Sequence, residues 1–471
     1  MIRTKSRHKT EFGDFQTPAE LAAAVCRRLV EDGAQPAAVV EPTCGQGFFL
    51  EASLGTFPGV KRLVGREWNH TYVAEARTRL AASTEQVDLK QADFFQQDWS
   101  QLLGDLTGPV LVLGNPPWVT NSELGQLESK NLPAKSNFLR ESGLAAKTGK
   151  SNFDISQWMI THLLEALSKR GGMLAMLCKT GVARKVLLNA WKDGLPLGRC
   201  TIREIDARRW FSAAVDACLL TCQVKPGEAQ QSCEVYEDLD SATPRTLLGH
   251  FEGRLLADRS AFEEHRDLLA DQPTMRWRSG IKHDCRDVMQ FQRRGWTLVN
   301  GLGETVELEP DFLFPLVTAG AVYRGEIKEA EQMVLVPQSR TGEDTSRIAE
   351  IAPRTWAYLQ KHAERLAARK SSIYRGRPPF SIFGIGEYSF APWKVAISAL
   401  HKRLVFRVIG PREGRPVMLD DTTYFLSFPS RKAAKATAAR LESSEAQRFL
   451  EAWIFWDAKR PITSEILQRL A

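Results

Sequence analysis

The sequence predicts an α/β protein with a doubly wound, mostly parallel sheet in the first half of the chain and an α+β domain in the second half. Short apolar segments near residues 38–41, 62–66, 87–92 and 110–113 alternate with helical patterns, as strands and helices do in β-α-β units. A glycine-rich turn follows the first segment, where such folds bind ligands. With 471 residues and 43% apolar content, the chain exceeds one typical hydrophobic core, so we expect two domains.

The first helix is predicted by a capping box ahead of the first strand. Thr17 can cap the helix with Pro18 at its first position, and Glu20 stands three residues past the cap. The pattern predicts a helix over residues 18–30 that would cover a bound cofactor.

Later elements are predicted by a second cap and by two apolar segments. Asp154 with Gln157 opens a helix whose apolar face ends at a pair of glycines. Residues 173–178 and 217–224 then predict the fifth strand and the last hairpin strand, which complete the sheet.

The tetrapeptide Asn115-Pro116-Pro117-Trp118 follows the fourth strand and suits chemistry on an exocyclic amino group. Such a nitrogen is a poor nucleophile because its lone pair is delocalised into the base ring. An enzyme that alkylates it must accept hydrogen bonds from its two N–H groups, and the Asn115 side-chain oxygen and the Pro116 carbonyl could do so. The prolines stiffen the turn, and Trp118 offers a face on which a planar base can stack.

Acidic residues stand at the ends of the three strands that precede this tetrapeptide. Glu41 opens the glycine turn. Glu67 ends the second strand, where a carboxylate could accept hydrogen bonds from ribose hydroxyls. Asp93 and Phe94 follow the third, where an acceptor beside an aromatic ring suits the amino group and the face of an adenine. The order of these features indicates a single site.

In these motifs the chain resembles the gamma-class amino-DNA methyltransferases, which use S-adenosylmethionine to methylate adenine N6. The family's Phe-x-Thr-Pro element corresponds to residues 15–18, and its Asp/Glu-Pro-x-Cys-Gly-x-Gly element corresponds to residues 41–47. The resemblance covers about the first 225 residues. It implies a class I methyltransferase-type sheet of seven strands, S-adenosylmethionine as cofactor, and an adenine that is flipped out of the duplex into the site.

The resemblance also implies the residues of the site, three of which depart from the family's usual types. Thr43 stands where alanine is usual, Trp68 where an aliphatic residue is usual, and Trp118 where tyrosine or phenylalanine is commoner. The implied catalytic residues, of which the last would close on the flipped base, are Asn115, Pro116, Pro117, Trp118 and Phe211. The implied S-adenosylmethionine-binding residues are Phe15, Thr17, Pro18, Glu41, Pro42, Thr43, Cys44, Gly45, Gly47, Glu67, Trp68, Asp93, Phe94 and Asn115. The cysteines include no Cys-x-x-Cys pair, so no metal site is expected.

The C-terminal half contains a strongly basic segment. Residues 366–415 hold ten basic and two acidic residues, a local charge of +8 in a chain whose net charge is +7. Aromatic residues and glycines are interleaved with the basic ones, which suits a surface that follows phosphates and contacts bases. The segment resembles the target-recognition region of type II restriction-modification methylases. The predicted DNA-binding residues are Arg375, Arg377, Lys394, Lys402 and Arg403.

The predicted domain order is a catalytic, S-adenosylmethionine-binding domain over residues 1–225, a linker over residues 226–250 and a target-recognition domain over residues 251–471. Within the first domain, residues 119–153 predict a flap over cofactor and DNA, because a loop of that length is uncommon in a compact domain. The polar composition of residues 226–250 indicates the linker.

No apolar run approaches the roughly 18 residues of a membrane span, and the first residues lack the apolar segment of a signal peptide. We therefore expect a soluble, cytoplasmic monomer without a membrane partner. The expected partner is double-stranded DNA. A cognate restriction endonuclease or the subunits of a phage-defence system are candidate partners.

Other interpretations of the tetrapeptide stay open. An Asn-Pro-Pro-aromatic sequence also occurs in methyltransferases for cytosine N4, for RNA adenine N6 and for glutamine side-chain amides, since all share the planar amino group. The basic C-terminal half argues against a protein substrate. A non-catalytic, cofactor-sensing DNA-binding module is an alternative from another class, and the presence of Asn115, Glu41 and Glu67 argues against it.

Overall fold

The computed structural model of the protein describes residues 15–119, 154–272, 274–295, 297–326 and 331–471. The chain divides into two compact units, Met1–Ser260 and Ala261–Ala471. The predicted flap over residues 119–153 lies outside the described residues except for Val119.

The first unit is built on one mixed sheet with helices between its strands. The strands are β1 (Ala38–Glu41), β2 (Arg62–Glu67), β3 (Val87–Gln91), β4 (Val110–Gly114), β5 (Gly172–Lys179), β6 (Leu197–Ile205), β7 (Ala217–Val224), β8 (Ser232–Tyr236), β9 (Thr246–Phe251) and β10 (Arg254–Leu256). The helices are α1 (Ala19–Glu31), α2 (Phe48–Thr56), α3 (His70–Arg79), α4 (Trp99–Gly104), α5 (Ile155–Ser168), α6 (Thr180–Lys192) and α7 (Ala207–Phe211), with a 3-10 helix at Ala81–Ser83. Helix α8 (Arg259–Glu264) begins in this unit and ends in the second.

The sheet is doubly wound. Its strand order is β10-β9-β8-β6-β7-β5-β4-β1-β2-β3, and the strands from β3 to β5 in this order run parallel. Strand β1 pairs with β2 on one side and with β4 on the other, so a crevice opens at the carboxyl ends of these strands. All residues of β1 and β4 are buried, as in parallel sheets with helices on both faces. The predicted α/β class with a doubly wound, mostly parallel sheet is confirmed.

The predicted linker over residues 226–250 is wrong, because this stretch contributes strands to the first sheet. Strand β8 pairs with β6 in parallel, and β9 pairs with β8 in antiparallel orientation. Cys233 and Val235 are buried, whereas Ser232 and Glu234 are half-buried. With β8, β9 and β10, the described part of the sheet has ten strands rather than seven.

The two predicted helix caps have different outcomes. Helix α1 begins at Ala19, and its N-cap is Pro18 without a side-chain cap hydrogen bond, so the capping role predicted for Thr17 is wrong. Asp154 does cap α5, since its side chain accepts a hydrogen bond from the Ser156 amide at 3.1 Å.

The described residues of the second unit form two sheets and short helices. Its strands are β11 (Arg278–Ser279), β12 (Gln290–Arg294), β13 (Thr297–Asn300), β14 (Thr305–Val306), β15 (Leu313–Val317), β16 (Gln332–Leu335), β17 (Trp393–Ser398), β18 (Arg407–Ile409), β19 (Met418–Leu419) and β20 (Thr423–Phe428). They form sheets of order β14-β13-β12-β16-β15-β19 and β11-β20-β17-β18.

The second unit also contains eight helices among its described residues. They are α9 (Arg286–Met289), α10 (Ala319–Arg324), α11 (Ile348–Ile351), α12 (Pro353–Lys361), α13 (Ala363–Ala367), α14 (Arg431–Leu441), α15 (Ser444–Glu451) and α16 (Ser464–Leu467). The 3-10 helices are Arg266–Leu268, Pro310–Phe312, Ser372–Tyr374 and Glu387–Phe390. Across both units, no helix among the described residues has the length and apolar character needed to cross a membrane.

Candidate active site

A cavity lies at the carboxyl ends of the parallel strands β1, β2, β3 and β4. Its volume is about 1090 Å³, including solvent at its mouth. The lining residues are Phe15, Gln16, Thr17, Glu41, Pro42, Thr43, Cys44, Gly45, Gln46, Phe48, Phe49, Glu67, Trp68, Asn69, Tyr72, Ala92, Asp93, Phe94, Phe95, Asn115, Pro117, Val119, Ile155 and Met159. The position agrees with the ligand crevice of doubly wound sheets.

The turn between β1 and α2 is shaped by two glycines and held by one carboxylate. Gly45 has a φ of +47°, and Gly47, the N-cap of α2, has a φ of +82°. A Cβ atom on Gly45 would lie 2.5 Å from Oε1 of Gln16. Oε2 of Glu67 accepts a hydrogen bond from the Gly45 amide at 2.9 Å, and Oε1 accepts one from the Asn69 amide at 2.8 Å. Glu67 therefore joins the turns that follow β1 and β2.

Glu41, the last residue of β1, is a buried carboxyl with 3% of its surface exposed. It accepts a hydrogen bond from the Leu50 amide, but its Oε2 has no partner among the described residues. Burial, and after it the Glu67 carboxylate, raises the pKa of Glu41 well above its usual range. A buried oxygen without a partner is costly, so this one suits a ligand that donates a hydrogen bond or carries positive charge.

The amide of Asn115 is fixed in orientation. Its Nδ2 donates a hydrogen bond to the Phe15 carbonyl at 2.8 Å. Because a carbonyl can only accept, the nitrogen of the amide must face Phe15, and the oxygen must face away. That oxygen, Oδ1, is buried without a partner in the part of the chain that the structure describes. It is a ready acceptor for an N–H group that a ligand brings.

Three aromatic rings form a cluster beside Asn115. The ring centroids of Trp118 and Phe211 are 5.1 Å apart, and Phe15 lies 5.5 Å from Trp118 and 6.0 Å from Phe211. The indole nitrogen of Trp118 donates to the Leu177 carbonyl at 3.3 Å. Phe15 lines the cavity, whereas Trp118 and Phe211 are buried behind it.

Asp93 and Phe94 form another part of the cavity wall. The side chain of Asp93 accepts a hydrogen bond from the Phe95 amide at 3.0 Å. The Phe94 ring packs against Trp99, with centroids 4.8 Å apart, and against Trp158 of α5, with centroids 6.0 Å apart. These contacts hold a carboxylate and an aromatic ring side by side at the end of β3.

The comparisons with known proteins decide the family. No family model matches the sequence. The chain is 44% identical to the type II methyltransferase M.NspV of Nostoc sp., over all of this chain and 98% of the relative. The chain belongs to the type II methyltransferases. The solved structure of the type IIL restriction-modification enzyme MmeI in complex with DNA aligns with 99% of this methyltransferase and 66% of its own chain, with a TM-score of 0.52 and 12% identity.

This type II methyltransferase, with its doubly wound α/β sheet, uses S-adenosylmethionine as its methyl donor. The cavity fits that donor, which carries a positively charged sulfur and amino group and an adenosine moiety. Oε2 of Glu41 is a buried acceptor without a partner among the described residues, and the turn at Gly45 leaves no space for a side chain. A carboxylate stands at the end of β2 and another follows β3, where hydroxyl and amino groups of a nucleoside can be bound.

The structure brings together most of the residues that the sequence assigns to this methyltransferase's cofactor site. All of them line the cavity except Pro18 and Gly47, which are the N-caps of α1 and α2. Of the residues predicted to be catalytic, Asn115 and Pro117 line the cavity, whereas Pro116, Trp118 and Phe211 lie behind it.

Several lining residues were not predicted. Ile155 and Met159 lie one helical turn apart on α5, and Tyr72 lies on α3. Ile155 and Met159 are apolar residues at a spacing that is also typical of a helix packed in the core, so the sequence holds no specific signal for them. The signal for Tyr72 is its place on the helix that follows Glu67.

The basic residues predicted to contact DNA differ in exposure. The prediction that Lys394 contacts DNA is wrong, because this residue is only 1% exposed. Its Nζ donates a hydrogen bond to the Ala391 carbonyl at 2.8 Å. Burial lowers the pKa of Lys394 to about 7. The other four side chains are exposed: Arg375, Arg377, Lys402 and Arg403.

Proposed function

We propose that this type II methyltransferase is a gamma-class, adenine-N6-specific DNA methyltransferase of a restriction-modification system, acting on an adenine flipped out of duplex DNA. The observation that carries the proposal is the amide of Asn115, whose oxygen is buried, has no partner among the described residues and is held in one orientation by the Phe15 carbonyl. Such an oxygen is placed to accept a hydrogen bond from an amino group before any substrate arrives, which is the preorganisation that catalysis requires.

The chain's own residues would act on the amino group as follows. Oδ1 of Asn115 and the carbonyl of Pro116 accept the two N6 hydrogens, which draws the nitrogen toward a tetrahedral, nucleophilic state. S-adenosylmethionine, when bound, supplies an electrophilic methyl group on a cationic sulfur. Trp118 stacks on the face of the base, and the cluster of aromatic rings favours the positive charge that develops on the methylated amine. Positioning by these residues supplies most of the rate.

Entry of the base requires the aromatic cluster to open. A base stacked between two rings needs about 7 Å between them, since a carbon contact spans about 3.5 Å on each side. The centroids of Trp118 and Phe211 are 5.1 Å apart in a T-shaped, edge-on arrangement that fills this space. Phe211 is the ring that we expect to move, because Trp118 is tied to Leu177 by its indole nitrogen.

One experiment tests both the activity and the target atom. The protein is incubated with duplex DNA from cells that lack DNA methylation and with S-adenosylmethionine labelled on its methyl group, and the nucleosides are then analysed. We expect the label in N6-methyl-2′-deoxyadenosine, the nucleoside that methylated DNA releases. Label in N4-methylcytosine would overturn the base assignment, label only in added RNA would overturn the substrate, and no label would favour the non-catalytic DNA-binding module.

Replacing Glu41 by glutamine should stabilise the empty protein at neutral pH and weaken S-adenosylmethionine binding about tenfold, the equivalent of one charge-assisted hydrogen bond of about 1.5 kcal/mol. The folded-state pKa of Glu41 is raised, so its protonated form contributes stability at low pH, and this is lost as the pH rises above about 4.5 toward the folded pKa. Glutamine resembles the protonated form and escapes that loss. Calorimetric unfolding and titration with S-adenosylmethionine measure the two effects.

The wild-type protein and a matched control make the Glu41 result interpretable. The wild-type affinity should rise with pH until Glu41 is ionised, and that dependence should be smaller in Glu41→Gln. Glu51→Gln removes an exposed carboxyl that pairs with Arg79 and should change neither quantity. Equal affinity of Glu41→Gln and wild type at neutral pH would contradict the role of Glu41 in holding the donor.

We also propose that the second unit binds DNA through its exposed basic residues. The double variant Arg375→Ala/Arg377→Ala should weaken duplex binding and reduce the slope of log affinity against log salt by about 2, since each phosphate contact contributes roughly 0.9. Lys432→Ala/Lys435→Ala removes the same charge from exposed positions of α14 and should leave the slope unchanged. An unchanged slope in the arginine variant would contradict the assignment. Fluorescence anisotropy over a range of salt concentrations measures it.

A further inference from the structure

Lys179, the last residue of β5, contacts both the tetrapeptide and the N-cap residue of α5. Its Nζ donates to the Trp118 carbonyl at 3.0 Å and to Oδ2 of Asp154 at 2.8 Å. The two charged side chains are 26% and 9% exposed, so their pairing is only partly screened by solvent. Neither the tetrapeptide motif nor the cofactor motifs include this lysine.

The neighbouring contacts make Lys179 part of a larger attachment of Trp118 to the end of β5. The indole nitrogen of Trp118 donates to the carbonyl of Leu177, two residues before Lys179. The Trp118 side chain and backbone are thus both bound to the same strand. The Ile155 amide donates to the Val119 carbonyl at 2.9 Å, so the residues next to Trp118 and next to Asp154 are also joined directly.

Asp154 extends the attachment to the cofactor cavity. It caps α5 through the Ser156 amide, and α5 carries Ile155 and Met159 on the cavity wall. A lysine that binds Trp118 and Asp154 at once therefore links the turn that would hold the target base to the helix that lines the donor's cavity.

We propose that Lys179 is a positioning residue for methyl transfer, which acts by fixing the backbone at Trp118 and by pairing with Asp154. Lys179 does not line the cavity, and its effect is transmitted through Trp118. At the other end of the tetrapeptide, Asn115 is bound to the Phe15 carbonyl. The tetrapeptide is thus held at its first and last residues, which keeps the Asn115 oxygen and the Pro116 carbonyl in one arrangement. The inference rests on the proposed function of that tetrapeptide.

Lys179→Met tests the proposal because methionine keeps an unbranched side chain but cannot donate to Trp118 or pair with Asp154. We expect kcat to fall roughly 10- to 100-fold, the effect of a small misplacement of reacting groups. The affinity for S-adenosylmethionine, measured by calorimetric titration, should change less than kcat does. Lys179→Arg keeps the charge and the donors and should recover most of the rate. Lys169→Met, at the exposed C-terminal end of α5, makes the same chemical change away from the site and should retain wild-type kcat.

A double-mutant cycle separates positioning from a general loss of stability. Asp154→Asn keeps an oxygen that can cap α5 but removes the charge that pairs with Lys179. If the pair acts as a unit, the double variant Lys179→Met/Asp154→Asn should have a kcat no lower than that of Lys179→Met alone. Additive losses in kcat, or losses that follow the melting temperature across the variants, would overturn the proposal.

Comparing Lys179→Met with Asn115→Ala distinguishes failure of the positioning role of Lys179 from failure of the proposed function. Wild-type kcat in Lys179→Met together with an inactive Asn115→Ala would remove only the positioning role. Wild-type activity in Asn115→Ala would remove the tetrapeptide's role and the positioning role with it.

Discussion

Replacing Asn115 by alanine should reduce kcat for methyl transfer by about 10²- to 10³-fold, the usual cost of removing one preorganised polar group from an active site. Alanine removes the oxygen that accepts the amino hydrogen and the nitrogen that donates to Phe15. Most of the cavity wall is formed by other residues, so S-adenosylmethionine binding should stay largely intact. Single-turnover methylation and calorimetric titration measure the two quantities separately.

Two further variants give the Asn115 prediction its controls. Asn115→Asp keeps the shape but places a carboxylate oxygen against the Phe15 carbonyl, where both atoms can only accept, so we expect it to be nearly as inactive as the alanine variant. Asn189→Ala removes a half-buried asparagine from α6, outside the cavity wall, and should keep wild-type kcat. A fully active Asn115→Ala protein would show that its oxygen does not bind the reacting amine.

The parts of this site that the sequence predicts are those whose chemistry is local. Glu41, Glu67 and Asn115 each stand at the end of an apolar strand, and the carboxyl ends of parallel strands meet at one edge of the sheet. Strand periodicity therefore suffices to bring these three side chains together. It does not show which way the Asn115 amide faces, because that depends on Phe15, which is 100 residues away in the chain.

The errors arise where the same residue type serves two different environments. A lysine in a basic segment is usually a solvated cation, but Lys394 stands on a central strand of its sheet, and its ammonium is satisfied by a backbone carbonyl within the fold. Thr17 matches a helix cap by spacing, yet the helix begins beyond Pro18, and Thr17 faces the cavity instead. In both cases tertiary contacts, which spacing does not encode, decide the outcome.

Gly65 is required by packing that no sequence motif indicates. It lies within β2 and belongs to no motif, but a Cβ atom there would lie 2.3 Å from the Leu89 side chain and 3.0 Å from Sγ of Cys44. Because Gly65 has no side chain, Cys44 can approach β2 closely and the turn after β1 packs against this strand. The Glu67 carboxylate at the end of β2 then reaches the Gly45 amide in that turn. Packing of this kind becomes visible only when the strands are seen side by side.

Replacing Glu67 by alanine should raise the Kd for S-adenosylmethionine about 100-fold, which corresponds to about 2.7 kcal/mol. The carboxylate holds the Gly45 and Asn69 amides, and each such charge-assisted bond contributes about 1.5 to 3 kcal/mol. Without it the turn after β1 loses its anchor, and the proposed acceptor for the ribose hydroxyls is lost as well. Glu67→Gln keeps one acceptor oxygen but turns an NH₂ group toward a backbone N–H, so its Kd should lie between those of alanine and wild type.

The Glu67 variant should differ from the Asn115 variant in the kind of defect as well as its size. Loss of donor binding is overcome by a higher donor concentration, so kcat of Glu67→Ala should approach the wild-type value at saturating S-adenosylmethionine, whereas Asn115→Ala should stay inactive. Glu51→Ala, which removes an exposed carboxylate paired with Arg79, should behave as wild type in both respects. If Glu67→Ala kept a wild-type Kd, the carboxylate at the end of β2 would have no part in holding the donor. If its kcat stayed low at saturation, Glu67 would serve the methyl transfer step itself.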